Sequence, residues 1–323
     1  MRYVILGAGA MGGSIGGRLF ERGRDVIVVA RGAHQAAIAS RGLELRDPDR
    51  SVTLRIPSVS SVAEVGFKKG DVALLATKTQ QSEAILTELA VHAPAAIHVV
   101  CAQNGVENER LALRRFPNVQ AMRVFHSASH LEPGLIEIPF APLSGLLDLG
   151  RYPSGLDEVS EQIAADLNDS TFDSIADPNI MARKYRKLLS NLGNAIEAAA
   201  GTRSGDPAAL ELWQLAQAEG SRCLEAAGIE VAPADLDATR QDAMGPLRLV
   251  AGHDLSGGSS WQSLARGTGN IEADWLNGEI VLLGRLHAIA TPVNELLQET
   301  ANRMAAEGTE PGTIPAADLL AKL

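Results

Sequence analysis

The fold is decided by the stretch Val4-Ile5-Leu6-Gly7-Ala8-Gly9-Ala10-Met11-Gly12-Gly13. Three of its glycines, at positions 7, 9 and 12, have the G-x-G-x-x-G spacing. In such a motif the first glycine permits a tight turn after a strand, the second lets a pyrophosphate approach the backbone, and the third lets the next helix pack closely on the sheet. A helical pattern from Met11 to Arg22 and an apolar run from Val26 to Val29 complete a βαβ unit. The stretch therefore predicts a Rossmann-type domain that binds a dinucleotide, with the phosphates at the N-terminus of the first helix.

Composition limits the partners and the compartment. The 323 residues, of which 46% are hydrophobic, suffice for two domains with buried cores. The net charge of −10 argues against a nucleic-acid or anionic-membrane surface, so we expect neither partner. Cys101 and Cys223 lie far apart without CxxC spacing, which fits a reducing compartment. Because we also find no charged leader and no apolar run long enough to span a membrane, we expect a cytoplasmic protein.

The residues after the second predicted strand, Asp25 to Ala30, bear on the choice of cofactor. An acidic residue at this place accepts hydrogen bonds from the ribose 2′-hydroxyl of NAD, whereas a guanidinium pairs with the 2′-phosphate of NADP. This sequence has Arg31 there and no adjacent acid. The alternative is an ordinary solvated arginine, but the missing acid favours NADP(H) as the cofactor.

Polar residues also follow the next two buried strands of the pattern. Lys78 comes after the apolar run Val72 to Ala76, and Asn104 comes after the run Ile97 to Cys101. Open α/β sheets bind ligands beyond the carboxyl ends of their strands. Lys78 could therefore meet the cofactor or the substrate, and the Asn104 amide could bond both. A loop lysine and a local Asn-Gly turn explain the same residues without a ligand.

The first half also contains a possible hairpin and a pair of histidines. The segments Leu43–Leu45 and Val52–Ile56 alternate apolar and polar residues, which predicts a hairpin inserted into the parallel pattern. His126 and His130 lie four positions apart, but no convincing third ligand is near them in the sequence. We therefore predict no metal site.

The pattern changes to long helices near Thr171 to Pro178, which predicts a first domain over residues 1–176 and a helical second domain over residues 177–323. Asp177-Pro178 has the form of a helix start, and the predicted helix continues toward Ala200. Lys187 and Asn191 share one face of that helix, although a solvated cationic face explains Lys187 equally well. Further along, Ser260 lies in a glycine-rich helix entry where a capping role alone could explain the serines. A helical second domain is compatible with a homodimer.

Together these motifs resemble those of the ketopantoate reductase (2-dehydropantoate 2-reductase) family over nearly the whole chain. The matching segments, in chain order, are Gly7-Ala8-Gly9-Ala10-Met11-Gly12, Arg31, Thr77-Lys78, Gln103-Asn104-Gly105, Tyr185-Arg186-Lys187-Leu188-Leu189-Ser190-Asn191, Ser259-Ser260-Trp261 and Ile271-Glu272-Ala273-Asp274-Trp275-Leu276-Asn277-Gly278. The resemblance implies an α/β fold with an N-terminal Rossmann-type domain and an all-helical C-terminal domain of the 6-phosphogluconate-dehydrogenase kind. It also implies the NADPH-dependent reduction of a 2-oxo acid, with ketopantoate as the best single candidate.

The resemblance assigns roles to particular residues. Lys187 would be the proton donor, and Glu272 would contact the cofactor or the substrate and orient the reacting groups. Asn191 and Ser260 would hold substrate oxygens. Asn104 would bridge cofactor and substrate. The remaining cofactor-binding positions would be Gly7, Ala8, Gly9, Ala10, Met11, Gly12, Arg31 and Lys78.

The sequence departs from the family pattern after Ser260. The family has an acidic residue shortly downstream, whereas Trp261 to Gly267 contains none. The departure lies near the expected substrate pocket, so a different ketone or alcohol on the same fold is a second hypothesis. A protein that senses NADP(H) without catalysis is a third, and it requires the lysine, serine and glutamate motifs to be incidental.

Overall fold

The computed structural model describes residues 1–201, 205–250, 257–267 and 269–323. The strands are β1 (Arg2–Leu6), β2 (Asp25–Val29), β3 (Leu43–Arg46), β4 (Ser51–Leu54), β5 (Ser58–Val59), β6 (Asp71–Leu75), β7 (His98–Cys101), β8 (Asn118–His126), β9 (Leu135–Glu137), β10 (Gly145–Arg151) and β11 (Phe172–Asp173). The α-helices are α1 (Ala10–Glu21), α2 (Gly32–Arg41), α3 (Ser82–His92), α4 (Asn108–Leu113), α5 (Glu158–Asn168), α6 (Ile180–Asn191), α7 (Asn194–Ala200), α8 (Pro207–Ala226), α9 (Ala238–Ala243), α10 (Ser259–Ala265), α11 (Asn277–His287), α12 (Pro292–Glu307) and α13 (Ala316–Leu320).

The main sheet has eight strands in the order β11-β10-β8-β7-β6-β1-β2-β5. Strands β5, β2, β1, β6, β7 and β8 run parallel to their neighbours, and β10 is antiparallel to β8. The chain passes from β1 to β2 on one side and later to β6 on the other, so β1 is the point at which the strand order reverses. The predicted α/β fold with a Rossmann-type first domain is thus confirmed.

The predicted hairpin is also confirmed, but it lies outside the main sheet. Strands β3 and β4 pair antiparallel with Leu43 opposite Leu54, and β3 pairs parallel with β9 to form a separate three-stranded sheet. Gly17 of α1 faces this second sheet, because a Cβ added there would lie 2.7 Å from a methyl carbon of Leu45. The hairpin therefore covers one side of the cofactor helix α1 instead of extending the parallel sheet.

Two hydrophobic cores lie on the two faces of the main sheet. Alternate residues of β1 enter different cores: Tyr3 and Ile5 pack into the first, and Val4 and Leu6 into the second. This alternation follows from the two-residue repeat of a strand. The near-continuous apolar runs of β1 and β6 are explained by burial on both faces.

The helical part begins with α6, which is shorter than the predicted helix. Residues 192 and 193 form a turn, and a separate helix α7 follows, so the prediction of one helix as far as Ala200 is wrong. The long helices α8 and α12 each have proline in the first turn, a position where proline favours the start of a helix. At α10 the N-cap is Gly258, so Ser259 is the first helical residue and not the cap.

Contacts divide the chain into two compact units. The first comprises Met1–Lys184 and Ala234–Leu255, and the second comprises Tyr185–Pro233 and Ser256–Leu323. Helix α6 therefore begins in the first unit and ends in the second. The boundary between residues 176 and 177 stays a prediction. None of the helices in the described part of the chain is both long and apolar enough to cross a membrane.

Candidate dinucleotide and active-site residues

Four predicted binding segments follow neighbouring strands of the main sheet. The register places Leu6 at the end of β1 opposite Val29 of β2 and opposite Leu75 of β6. Leu75 in turn pairs with Cys101 at the end of β7. The glycine loop, Arg31, Lys78 and Asn104 follow these strand ends directly, so all four segments lie at one edge of the sheet. This edge contains the position where the strand order reverses, which is where open α/β sheets bind ligands.

The glycine loop has the backbone that the motif requires. Gly7 has a φ of +99°, and a Cβ there would lie 2.7 Å from the Thr77 methyl carbon. A Cβ on Gly12 would lie 2.0 Å from the Gly7 carbonyl oxygen, so only glycine permits this packing of α1 on β1. At Gly9, by contrast, the added Cβ would meet no described atom within 4 Å. The open side of the loop thus suits a group that must approach the backbone.

The N-terminus of α1 suits an anion. Gly9 is its N-cap and offers no side-chain capping bond, and within the described residues the first turn carries no acidic side chain. The first N–H groups of a helix have no partner in the helix itself, and the helix dipole is positive at this end. The pyrophosphate of a dinucleotide fits this donor set.

His34 links the glycine loop to two other segments. Its Nε2 lies 2.7 Å from the Ala8 carbonyl oxygen, its Nδ1 accepts the Gly134 N–H at 2.9 Å, and His130 Nε2 lies 3.0 Å from the same Nδ1. Because Nδ1 accepts from Gly134, the proton must be on Nε2, which donates to Ala8. Burial lowers the pKa of His34, which favours this neutral form. Sequence reasoning missed His34, which lies only three residues after Arg31.

Arg31 is exposed at the N-cap of α2, and an acidic residue faces it after all. The Arg31 Nη2 lies 3.7 Å from Glu88 Oε2, and 67% of the Arg31 side chain is exposed. The interpretation that no acid stands near Arg31 holds for the adjacent sequence but not for the structure. Glu88 lies on α3, and no local pattern connects the two residues.

A hydrogen-bond network supports the ends of β6 and β7 around Lys78 and Asn104. Gln103 Nε2 donates to the Thr77 carbonyl at 2.7 Å and to Ser82 Oγ at 2.9 Å, and Ser82 Oγ donates to Asn108 Oδ1 at 2.6 Å. Two buried acceptors here, Thr77 Oγ1 and Gln103 Oε1, have no partner among the described residues. Such unsatisfied buried oxygens beside a glycine loop fit a ligand that donates hydrogen bonds.

The remaining predicted site residues lie in the second unit. Lys187 is half-buried and Asn191 is buried one turn later on α6. Ser260 is buried on α10, and Glu272 is buried in a short 3₁₀ turn, Glu272–Trp275. The charge of Glu272 opposes the effect of burial on Arg266, whose pKa burial lowers overall. The four residues thus come from three elements of one unit.

His126 and His130 have hydrogen-bonding roles in the first unit. His126 Nδ1 lies 2.7 Å from the Ser144 carbonyl and its Nε2 lies 2.7 Å from Ser14 Oγ, while His130 contacts His34. Among the residues that the structure describes, no group of three His, Cys, Asp or Glu side chains could hold a metal ion.

The glycine loop and the reversal of strand order define a Rossmann-type, dinucleotide-binding class of protein. Comparison with family models narrows this class. The model described as "Ketopantoate reductase PanE/ApbA" matches residues 3–153, and that described as "Ketopantoate reductase PanE/ApbA C terminal" matches residues 179–305. The chain belongs to the ketopantoate reductase PanE/ApbA family, whose members are oxidoreductases.

Curated relatives and solved structures agree with this family. The 2-dehydropantoate 2-reductase of Pyrococcus horikoshii is 26% identical over 309 residues, covering 92% of this chain and 95% of the relative. That of Halobacterium salinarum is also 26% identical, covering 93% and 97%. The structure of a PanE/ApbA family ketopantoate reductase from Ralstonia eutropha JMP134 matches with a TM-score of 0.79 at 24% identity, covering 96% of this chain and 100% of that chain. D-mandelate dehydrogenase with NADH and anilino(oxo)acetate has the same fold, with a TM-score of 0.80, 23% identity and coverage of 95% and 99%.

Proposed function

We propose that this chain is an NADPH-dependent reductase that converts a 2-oxo acid into the 2-hydroxy acid, with 2-dehydropantoate as the best candidate substrate and pantoate as the product. The observation that carries the proposal is the pair Lys187 and Asn191, one turn apart on α6, in a chain whose two halves both match the ketopantoate reductase family. The relatives named 2-dehydropantoate 2-reductase support the choice of substrate.

The residue types suit carbonyl reduction. A bound nicotinamide supplies the hydride that adds to the 2-oxo carbon. Negative charge then develops on the carbonyl oxygen, and the Lys187 ammonium stabilises this charge and donates the proton that completes the hydroxyl group. Asn191 and Ser260 hold substrate oxygens by directional hydrogen bonds, which present one face of the ketone. Glu272 orients the lysine or a substrate hydroxyl.

The cofactor would lie along the strand ends of the first unit. The glycine loop from Gly7 to Gly12 would bind the pyrophosphate, and Arg31 would pair with a 2′-phosphate, which favours NADP(H). Lys78 and Asn104 would contact the cofactor, and the Asn104 amide would also reach the substrate. The unpartnered Thr77 Oγ1 and Gln103 Oε1 support a hydrogen-bonding ligand at this edge.

Replacement of Lys187 tests the proposal. We expect Lys187→Ala to lower kcat for 2-oxo acid reduction at least a hundredfold, because general acid catalysis typically contributes 10²–10⁴-fold. NADPH binding, measured by the fluorescence of the nicotinamide, should remain within about threefold. The matched control is Lys69→Ala, which removes an exposed lysine that lies outside α6 and is distant from it in the sequence.

Turnover of the Lys187→Ala variant at the wild-type rate would refute the assigned role. If the wild-type chain binds NADPH but oxidises it with no 2-oxo acid or ketone, the non-catalytic sensor becomes the better interpretation. Both outcomes are read from the same absorbance assay at the nicotinamide band.

A second candidate is a reductase of another, bulkier ketone on the same fold. The residues after Ser260 favour it, since the Trp261 ring lies against Gly257, where an added Cβ would be 2.5 Å from Trp261 Cγ. The indole of Trp261 therefore occupies space next to Ser260 in the sequence, where the chain departs from the family pattern. Comparison of kcat/KM for 2-dehydropantoate with that for aryl and branched 2-oxo acids separates the two candidates.

The proposed setting is the cytoplasm, where the product would enter pantothenate biosynthesis. The two cysteines, Cys101 and Cys223, are free and buried, which agrees with a reducing compartment. We also propose a homodimer as the assembly to test, by light scattering after size-exclusion chromatography. A ketopantoate reductase of the same fold from Staphylococcus aureus is described as dimeric.

A further inference from the structure

We propose that Glu88 is a specificity-determining residue of the dinucleotide site, which weakens the preference for a 2′-phosphate that Arg31 alone would give. The inference rests on the proposed function only in that Arg31 is taken to face the adenosine ribose. The inference places the carboxylate of Glu88, from another helix, beside Arg31, where the adjacent sequence has no acidic residue.

The position of Glu88 relative to Arg31 carries the first step. Arg31 directly follows β2 and its neighbour Ala30, and its Nη2 lies 3.7 Å from Glu88 Oε2. The arginine side chain is 67% exposed and the glutamate side chain 29% exposed. An exposed guanidinium can move toward a ligand, whereas a less exposed carboxylate has less freedom.

A backbone hydrogen bond fixes the carboxylate of Glu88. The N–H of Val62 donates to Glu88 Oε1 at 3.2 Å, and Val62 is fully buried. Val62 follows β5, which pairs with β2 at Val29 and Val59. The carboxylate is therefore held from outside its own helix, at the edge of the sheet where β2 ends.

Charge then determines which nucleotide this edge favours. A 2′-phosphate carries close to two negative charges, and on Arg31 it would lie within several ångströms of Glu88. Even at the dielectric constant of bulk water, Coulomb repulsion between these charges at about 5 Å weakens binding by roughly tenfold. A 2′-hydroxyl meets no such penalty, because it can donate to the carboxylate, as it does to the acid of NAD-binding sites.

The variant Glu88→Gln tests this inference by removing the charge while its carbonyl oxygen still accepts from Val62. Dissociation constants of NADPH and NADH are measured by nicotinamide fluorescence on the full chain, with no ketone present. We expect the variant to bind NADPH about tenfold more tightly than the wild type and NADH no more tightly. The matched control is Glu83→Gln, on the same helix, where the glutamate is 60% exposed and pairs with Arg115.

Three results would overturn the inference. The first is an unchanged ratio of the NADPH and NADH dissociation constants in Glu88→Gln, and the second is weaker NADPH binding in that variant. The third is an equal gain in NADPH affinity in Glu83→Gln. Weaker NADPH binding would mean that Glu88 positions Arg31 for the phosphate. The proposed function fails separately, if the wild-type chain binds both dinucleotides but reduces no 2-oxo acid. Failure of the wild type to bind either dinucleotide would overturn both.

Discussion

Lys184 and Glu109 form a buried ion pair. Lys184 lies three residues before Lys187, the proposed proton donor. Their side chains are 2% and 0% exposed, and Lys184 Nζ contacts Glu109 Oε1 and donates to the Gln103 carbonyl at 3.1 Å. Burial raises the pKa of Glu109, and the ammonium opposes this effect. The pair attaches the first half of α6 to α4 and to the end of β7. The pair contributes mainly by fixing the position of α6, because a buried ion pair by itself adds little to the free energy of unfolding.

Loss of the lysine alone should be severe. We expect Lys184→Met to lower the free energy of unfolding by about 3–5 kcal/mol, because it leaves an unpaired carboxylate in the core. The double variant Lys184→Met/Glu109→Leu should recover most of this loss. Urea denaturation of the single and double variants measures both values, and a double variant as unstable as the single one would contradict the explanation.

Part of the candidate site could be predicted from the sequence alone. Gly7 and Gly12 are predictable because their neighbours leave no space for a Cβ and the motif is local. The contact between Arg31 and Glu88 is not predictable, since α3 brings the glutamate to the arginine only in the folded sheet. The same holds for Lys184 and Glu109, which lie 75 positions apart in the sequence. Sequence identifies residues that act through a local motif and misses those that act through a distant partner.

At the scale of elements, two histidines connect the segment around β9 to the cofactor-binding elements. His126, at the end of β8, bonds the Ser144 carbonyl through Nδ1, so its Nε2 accepts from Ser14 Oγ of α1. His130 reaches the glycine loop indirectly, through His34. Burial lowers the pKa of His126 to about 4, since the hydrogen bond to Ser144 opposes this effect only in part and the nearby charge of Arg18 adds to it. The neutral ring is therefore part of the folded state at neutral pH.

This pKa predicts an acid sensitivity of the fold. The ordinary histidine pKa is 6.5 and the folded value is about 4, so between these pH values the unfolded chain binds the extra proton. Stability should fall as pH falls from 6.5 toward 4, by up to roughly 3 kcal/mol from this group. His126→Gln should be less stable at pH 7, but the difference from wild type should shrink at pH 4.5. Thermal unfolding across this range measures it, with the exposed His92→Gln as control; a constant difference would refute the role of His126.

Elements with a strong local pattern were predictable, and those built on buried charge were not. The hairpin and the helices α1, α8 and α12 follow their periodicity and their end residues. Strand β10 has no counterpart among the predicted elements, since Asp148 interrupts its apolar run. In the structure Asp148 is fully buried and accepts from Arg123 and Arg240. These partners come from distant parts of the chain, so a buried carboxylate looks like a loop residue in the sequence.

At the scale of the whole molecule, the chain does not pass only once between its two compact units. The segment Ala234–Leu255 follows α8 of the second unit but belongs to the first. Three arginines and four aspartates hold its described part there: Arg123, Arg183, Arg240, Asp148, Asp173, Asp177 and Asp237. Burial opposes the charged form of Asp237, but Arg123 and Arg183 outweigh it and lower its pKa.

Arg240 should be the residue on which attachment of this segment depends most. It bonds Asp148 at 2.8 Å, Asp173 at 2.8 Å and Asp237 at 3.0 Å, which joins α9 to β10 and β11. We expect Arg240→Met to lower the free energy of unfolding by about 3 kcal/mol, since it leaves buried carboxylates with fewer partners. Hydrogen exchange should speed up at least tenfold in α9 before it changes in β1 and β2, whose amides are bonded within the sheet. The exposed Arg222→Met is the control for loss of a positive charge. If exchange in α9 stays at the wild-type rate, the ion cluster does not hold the segment, and other contacts, such as the bond from the Arg248 N–H to the Pro139 carbonyl, must do so.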